Sequence, residues 1–139
     1  RGANALTYSE HKELVYRAEL VNSIDNAVLI SIHQNCFPTA QPSGPQVIYS
    51  NNNFSRELGT MTHNNLISCL DPTSRRLQEP DKNDIYVLSN VNCPAILVEC
   101  GFVSNHSDIT KLRDPSYQIK LSTILLASYV QFLNNENRV

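Results

Sequence analysis

Two ionisable side chains stand directly after short, strongly apolar runs of this sequence. His33 follows residues 27–32, and Glu99 follows residues 95–98. In open α/β sheets, ligands bind beyond the carboxyl ends of the strands, so both residues lie where chemistry is commonly found. A carboxylate in that place risks partial desolvation, which raises a carboxyl pKa unless a cation or a metal offsets it. Glu99 is therefore a candidate acid or base, and His33 a candidate metal ligand.

Both residues also have a structural interpretation. A single histidine at the end of a strand is usually held by hydrogen bonds, and a glutamate after a strand more often pairs with an arginine or caps a helix. The occurrence of both at strand ends favours a functional site, but it does not identify the reaction.

The residues around His33 and Glu99 resemble sequence motifs of a known family. Residues 31–35 read Ser-Ile-His-Gln-Asn, residues 44–49 read Gly-Pro-Gln-Val-Ile-Tyr, and residues 97–105 read Leu-Val-Glu-Cys-Gly-Phe-Val-Ser-Asn. In this order they resemble three motifs of the zinc-dependent N-acetylmuramoyl-L-alanine amidases, namely Ser-Ile-His-x-Asn, Gly-x-Gln-x-x-Tyr and Leu-Val-Glu-x-Gly-Phe-x-Ser-Asn. The Gly-Phe form of the last motif is most similar to the spore-cortex branch of that family.

Shorter matches extend the resemblance over residues 12 to 133. Arg17 and Asn22 match an Arg and an Asn ahead of the histidine strand, and Arg76 with Pro80 matches an Arg-x-x-x-Pro segment. Residues 117–121 are similar to the Tyr-Gln-x-Lys start of the family's last helix.

The resemblance implies a role for four residues. The family binds one zinc ion through two histidines and one glutamate and leaves an open position for water, as catalytic zinc sites do. His33 matches a zinc ligand and Glu99 the catalytic carboxylate, whereas Asn35 and Arg76 match positions expected to bind substrate. The implied reaction hydrolyses the amide bond between N-acetylmuramic acid and L-alanine in peptidoglycan, outside the cytoplasm in the cell wall or spore cortex. An activator protein is a further possible partner.

The sequence departs from the family at its beginning. The Gly-His-Gly-Gly segment with the first histidine ligand, and the glutamate ligand after it, do not precede residue 12, and His11, His63 and His106 match no family ligand. Residues 1–139 are therefore interpreted as a single amidase catalytic domain that is truncated at its N-terminus. We expect this chain alone to be inactive because two zinc ligands are missing. The alternative is a catalytically inactive fragment or pseudoenzyme that only binds cell-wall glycopeptide.

The four cysteines allow a competing catalytic mechanism. None has the Cys-x-x-Cys spacing of a zinc knuckle or a redox site, and we expect free, buried thiols. Cys100 or Cys36 acting as a thiolate nucleophile, with His33 as its base, is the competing mechanism. Cys100 follows Glu99 directly, so an extended backbone points the two side chains to opposite faces.

The elements that must position these residues alternate between helix and strand. Apolar periodicity and turn residues predict helices over 9–24, 55–70, 105–112 and from 115 onward, and strands over 27–32, 46–49, 84–88 and 95–100. Ser9, residues 51–53, Asn105 or Ser107, and Asp114 are the predicted helix caps. The predicted fold class is α/β, a three-layer arrangement with helices on both faces of a mostly parallel or mixed sheet.

Bulk properties exclude some partners. A chain of 139 residues suits one domain, and its net charge of -2 without a run of like charges predicts no nucleic-acid surface. No apolar stretch approaches the roughly 20 residues needed to cross a bilayer, so no membrane span is predicted.

Overall fold

A computed structural model of the chain describes residues 8–136. Its elements in chain order are α1 (Tyr8–Asn22), β1 (Leu29–Asn35), β2 (Gln46–Tyr49), α2 (Asn53–Leu70), β3 (Glu79–Pro80), α3 (Tyr86–Ser89), β4 (Ala95–Phe102), α4 (His106–Arg113) and α5 (Pro115–Glu136).

The four strands form one mixed sheet in the order β1-β4-β2-β3. β1 and β4 are parallel, β2 is antiparallel to β4, and β3 is parallel to β2. β4 therefore has a strand on each side, which explains why its side chains are the most apolar and most deeply buried of the sheet.

Each face of the sheet is covered by helices, because β4 sends alternate side chains to opposite faces. One face packs Val98 and Cys100 against Leu58 of α2 and Leu121 of α5. The other packs Ala95 and Leu97 against Ala18 of α1 and Leu88 of α3. This arrangement confirms the predicted three-layer α/β class.

Both strands that carry the candidate residues run further than predicted. β1 continues to Asn35 and β4 continues to Phe102, so His33 lies within a strand rather than after it, and Glu99 lies inside β4 as the predicted strand over 95–100 implied. The extension arises because the β1–β4 ladder continues past His33 to Asn35, which pairs with Phe102.

The strand predicted over residues 84–88 is wrong. This segment forms the short helix α3, because the carboxylate of Asp81 accepts hydrogen bonds from the N–H groups of Asp84 and Ile85 and from the hydroxyl of Ser89. A side chain that satisfies these donors locally makes a helical turn competitive with pairing in a sheet. The segment before it contains the two-residue strand β3, for which no strand was predicted.

Three of the predicted helix caps are present. Asn52 accepts a hydrogen bond from the N–H of Ser55, Asn105 caps α4, and Asp114 accepts from the N–H of a residue in the first turn of α5. Ser9 is not a cap, since it lies inside α1.

Ser55 joins a helix to the central strand. Its side chain is fully buried, and its hydroxyl accepts a 2.8 Å hydrogen bond from the N–H of Ala95 at the start of β4. We expect Ser55→Ala to lower the free energy of unfolding by about 1–3 kcal/mol, because it leaves the buried N–H of Ala95 without a hydrogen-bond partner. Ser68→Ala is the matched control, since this exposed hydroxyl bonds only to its own helix. Urea unfolding of the two variants should separate them, and equal losses would show that the Ala95 contact carries no stability.

Candidate active site

His33 and Glu99 are neighbours across the sheet. They are register partners on the parallel strands β1 and β4, so their side chains project from the same face. Neighbouring strands lie about 4.8 Å apart, which brings an imidazole and a carboxylate side by side. The sequence predicted both residues separately, and the ladder brings them together.

This pair lines a cavity of about 410 Å³ at the C-terminal ends of the two strands. The lining residues are His33, Gln34, Asn35, Cys36, Phe37, Pro38 and Glu99. α1 and α3 pack lower on the same face, against Ala95 and Leu97, so they do not cover the pair. The fold thus leaves the functional end of an otherwise covered sheet face open.

Hydrogen bonding sets the orientation of the imidazole. The Nε2 atom of His33 lies 3.0 Å from the hydroxyl oxygen of Ser31, which is two residues earlier on the same face of β1. Glu99 is half-buried and its Oε2 atom is fully buried. A carboxylate in that position is partly removed from water, which suits a group that takes up and returns a proton.

Gln46 borders Glu99 on the other side, and sequence reasoning did not select it as a site residue. It is the antiparallel register partner of Glu99 on β2 and is nearly buried. Its amide oxygen accepts a 2.6 Å hydrogen bond from Arg76, and its amide nitrogen donates to Glu79 and to the carbonyl of Leu77. The one sequence signal was its place in the Gly-x-Gln-x-x-Tyr match.

The two predicted substrate-binding residues lie in different places. Asn35 lines the cavity, and its side-chain oxygen accepts a hydrogen bond from the N–H of Cys36. Arg76 is outside the cavity lining. Its guanidinium group lies over the ring of Phe102, 4.8 Å from the ring centre, and reaches the site through Gln46.

The remaining histidines are elsewhere. His11 lies edge-on against the ring of Tyr86, His63 is buried in α2 beside the carbonyl oxygen of Arg76, and His106 is exposed at the start of α4. Within residues 8–136, no three His, Cys, Asp or Glu side chains are grouped closely enough to hold a metal ion. The described residues therefore do not by themselves fit a catalytic zinc site, which takes about three protein ligands.

Comparison with known proteins identifies the family. The sequence profile described as N-acetylmuramoyl-L-alanine amidase matches residues 2–128. The chain belongs to the N-acetylmuramoyl-L-alanine amidase family. It is 30% identical over 132 residues to the germination-specific N-acetylmuramoyl-L-alanine amidase of Bacillus subtilis (strain 168), and this match covers 93% of the chain and 55% of that relative. The chain thus spans about half the length of this relative.

Solved structures of amidases share the fold of this amidase-family chain. The CwlD amidase from Clostridioides difficile, solved in complex with the GerS lipoprotein, superposes with a TM-score of 0.85 at 30% identity, covering 96% of this chain and 68% of that one. An N-acetylmuramoyl-L-alanine amidase from Clostridium difficile 630 gives a TM-score of 0.79 at 29% identity, covering 87% and 65%.

The cysteines of this amidase-family chain are free, but they are less buried than expected. Cys36 and Cys69 are exposed, Cys93 is half-buried, and Cys100 alone among them is buried. Burial, followed by the charge of Glu99, raises the pKa of the Cys100 thiol to about 11. Cys100 also packs in the core on the face opposite Glu99, which excludes it as the nucleophile of the rival mechanism. Cys36 lines the cavity.

Alkylation separates these thiols. A pKa of about 11 leaves roughly one Cys100 thiol in three thousand ionised at pH 7.5, and burial shields it further. We expect iodoacetamide under native conditions to label Cys36 and Cys69 and to spare Cys100, with labelling of Cys100 rising as the pH approaches 11. Peptide mass spectrometry gives the extent at each site, and the unfolded chain, labelled throughout, is the control. Comparable labelling of Cys100 and Cys69 at neutral pH would contradict the buried placement.

Proposed function

We propose that this chain carries the His33–Glu99 half of the active site of a zinc-dependent N-acetylmuramoyl-L-alanine amidase. The substrate bond is the amide between N-acetylmuramic acid and L-alanine in peptidoglycan. The observation that carries the proposal is the register pairing of His33 with Glu99 at an open cavity, in a chain of the amidase family.

Glu99 acts as the general base and then as the general acid. Its carboxylate takes a proton from the attacking water as the C–O bond forms, and then returns it to the leaving amine of L-alanine as the C–N bond breaks. His33 is one zinc ligand, and the Ser31 hydroxyl beside its Nε2 atom holds the ring in place, as partners of metal-binding histidines generally do. When bound, zinc supplies Lewis-acid polarisation of the carbonyl and lowers the pKa of its water.

The zinc site needs ligands beyond those that residues 8–136 supply. His33 is the one ligand that we assign here, and the resemblance implies a further histidine and a glutamate. This chain alone is therefore proposed to be inactive, although its sheet and helices still form the fold. The second candidate function is a module that binds cell-wall glycopeptide without cleaving it. It is favoured because residues 8–136 supply too few zinc ligands by themselves.

Two residues are proposed to contact the glycopeptide. Asn35 lines the cavity beside His33, and its amide offers a donor and an acceptor to the substrate. Arg76 lies in the segment between α2 and β3, beside Gln46 of β2, and its guanidinium suits a carboxylate of the stem peptide.

The relatives suggest a setting. A germination-specific amidase and an amidase in complex with a lipoprotein support a role outside the cytoplasm, in the cell wall or the spore cortex, with a protein activator as partner. Across residues 8–136, none of the helices has both the length and the apolar character that crossing a membrane requires.

Substitution of Glu99 tests the mechanism. We expect Glu99→Gln in the intact protein to retain bound zinc and to lose about 10²- to 10⁴-fold in kcat, because an amide cannot accept the water proton. Glu57→Gln, an exposed position on α2, is the matched control and should keep full activity. Turnover of a soluble muramoyl-peptide is the measurement. Near wild-type turnover of the Glu99 variant would make this residue structural.

Substitution of His33 tests the metal site. We expect one zinc per intact protein and loss of that zinc in His33→Ala, because two remaining ligands do not hold it tightly. His106→Ala, which changes an exposed histidine, should keep stoichiometric zinc. Elemental analysis after dialysis gives the ratios. Equal zinc in all three proteins would remove His33 from the site.

The 139-residue chain itself separates the two candidate functions. Dye release from purified peptidoglycan, with and without added zinc, should show no chelator-sensitive activity for this chain. Binding to peptidoglycan without release supports the binding module for the chain alone, whereas robust chelator-sensitive release would contradict the proposed ligand deficit.

A further inference from the structure

The outer wall of the His33–Glu99 cavity is built by an irregular segment, residues 36–45, which we call the wall loop. Three of its residues, Cys36, Phe37 and Pro38, line the cavity, and Phe37 is half exposed. The segment contains three prolines and a glycine and forms no helix or strand, so its own backbone does not fix its position.

Three side chains at or just before the start of α4 hold the wall loop at three separated points. The hydroxyl of Ser104 accepts a 3.1 Å hydrogen bond from the N–H of Phe37. The amide nitrogen of Asn105 donates a 2.7 Å bond to the carbonyl of Ala40. The Oδ2 atom of Asp108 accepts a 2.8 Å bond from the N–H of Gly44.

Asp108 also ties the wall loop to the strand that carries Glu99. The same Oδ2 atom accepts a 2.9 Å bond from the N–H of Phe102, and the residue is only 5% exposed. A side chain at position 101 would have its Cβ 3.2 Å from this carboxylate, which explains the glycine there. One buried carboxylate thus fixes the end of the wall loop relative to the end of β4.

Asn105 performs two tasks with the two ends of its amide. Its oxygen accepts from the N–H groups of Ser107 and Asp108 and so caps α4, while its nitrogen holds Ala40. The cap orients the side chain, and this orientation directs the remaining donor at the wall loop. The two tasks can therefore be separated by changing the nitrogen alone.

We propose that Ser104, Asn105 and Asp108 are positioning residues that set the distance of the wall loop from Glu99 and thereby shape the cavity for its substrate. Residues 104–108, which come shortly after Glu99 in the sequence, hence anchor the cavity wall that the wall loop forms. The part of this inference that concerns substrate rests on the proposed function, whereas the part that concerns the loop does not.

Asn105→Asp in the intact protein is the decisive variant. It keeps the capping oxygen and removes the donor to Ala40. We expect amide hydrogen exchange within the wall loop to quicken by about 2- to 10-fold, which corresponds to the loss of one hydrogen bond, while exchange within α4 stays unchanged. On a soluble muramoyl-peptide, KM should rise several-fold with kcat and its pH profile unaltered. Asn52→Asp is the matched control, because it makes the same change at the cap of α2, far from the loop.

Ser104→Ala is the independent second variant, since it releases Phe37 and leaves the cap of α4 intact. Faster exchange confined to the wall loop in both variants supports the proposal. Unchanged exchange in both, or a fall in kcat at constant KM, would overturn it. Absence of amidase activity in the unaltered intact protein would refute the proposed function, and the exchange measurement would still decide whether these residues hold the loop.

Discussion

The parallel pairing of β1 with β4 is the constraint on which the site depends. Only in this register does His33 stand beside Glu99 and share its face of the sheet. A slip of one residue would turn every side chain of β1 to the other face, and the imidazole would lie on the side of α2 and α5. The packing of β4 between two strands and two helical layers opposes such a slip, because the slip would turn Ser31 toward the core under α2 and α5 and turn Ile30 away from it.

Successive side chains of β4 point to opposite faces of the sheet, so core residues and Glu99 lie on different faces. Val98 and Cys100 point into the core under α2 and α5, and Glu99 between them points to the opposite, partly open face. The neighbouring thiol is buried and protonated, so the proposed proton transfer is assigned to the carboxylate and not to Cys100. The apolar side chains of β4 thus hold the backbone that aims Glu99 into the cavity.

Side chains bonded to backbone organise the segments that lack regular structure. Asn22 clamps the turn before β4 by donating to the carbonyl of Asn90 and accepting from the N–H of Asn92. Asp81 builds α3, and Asp108 joins the wall loop to β4. Buried polar groups need such partners, because a buried donor or acceptor without a hydrogen bond destabilises the folded state. Asn22, a motif position without a reactive role, thus has a structural role before β4.

The sequence by itself determined what local pattern can encode. Continuous apolar runs marked β1 and β4, three-to-four-residue periodicity marked α1, α2 and α5, and local cap chemistry marked residues 51–53, Asn105 or Ser107, and Asp114. It also singled out His33 and Glu99, and the flanking motifs indicated the amidase family. Only the tertiary structure decided that these two residues are register partners, that Gln46 borders Glu99, and that Asp81 turns residues 86–89 into a helix instead of a strand. The physical reason is that strand register, and hydrogen bonds between residues 60 or more positions apart, depend on packing of the whole sheet.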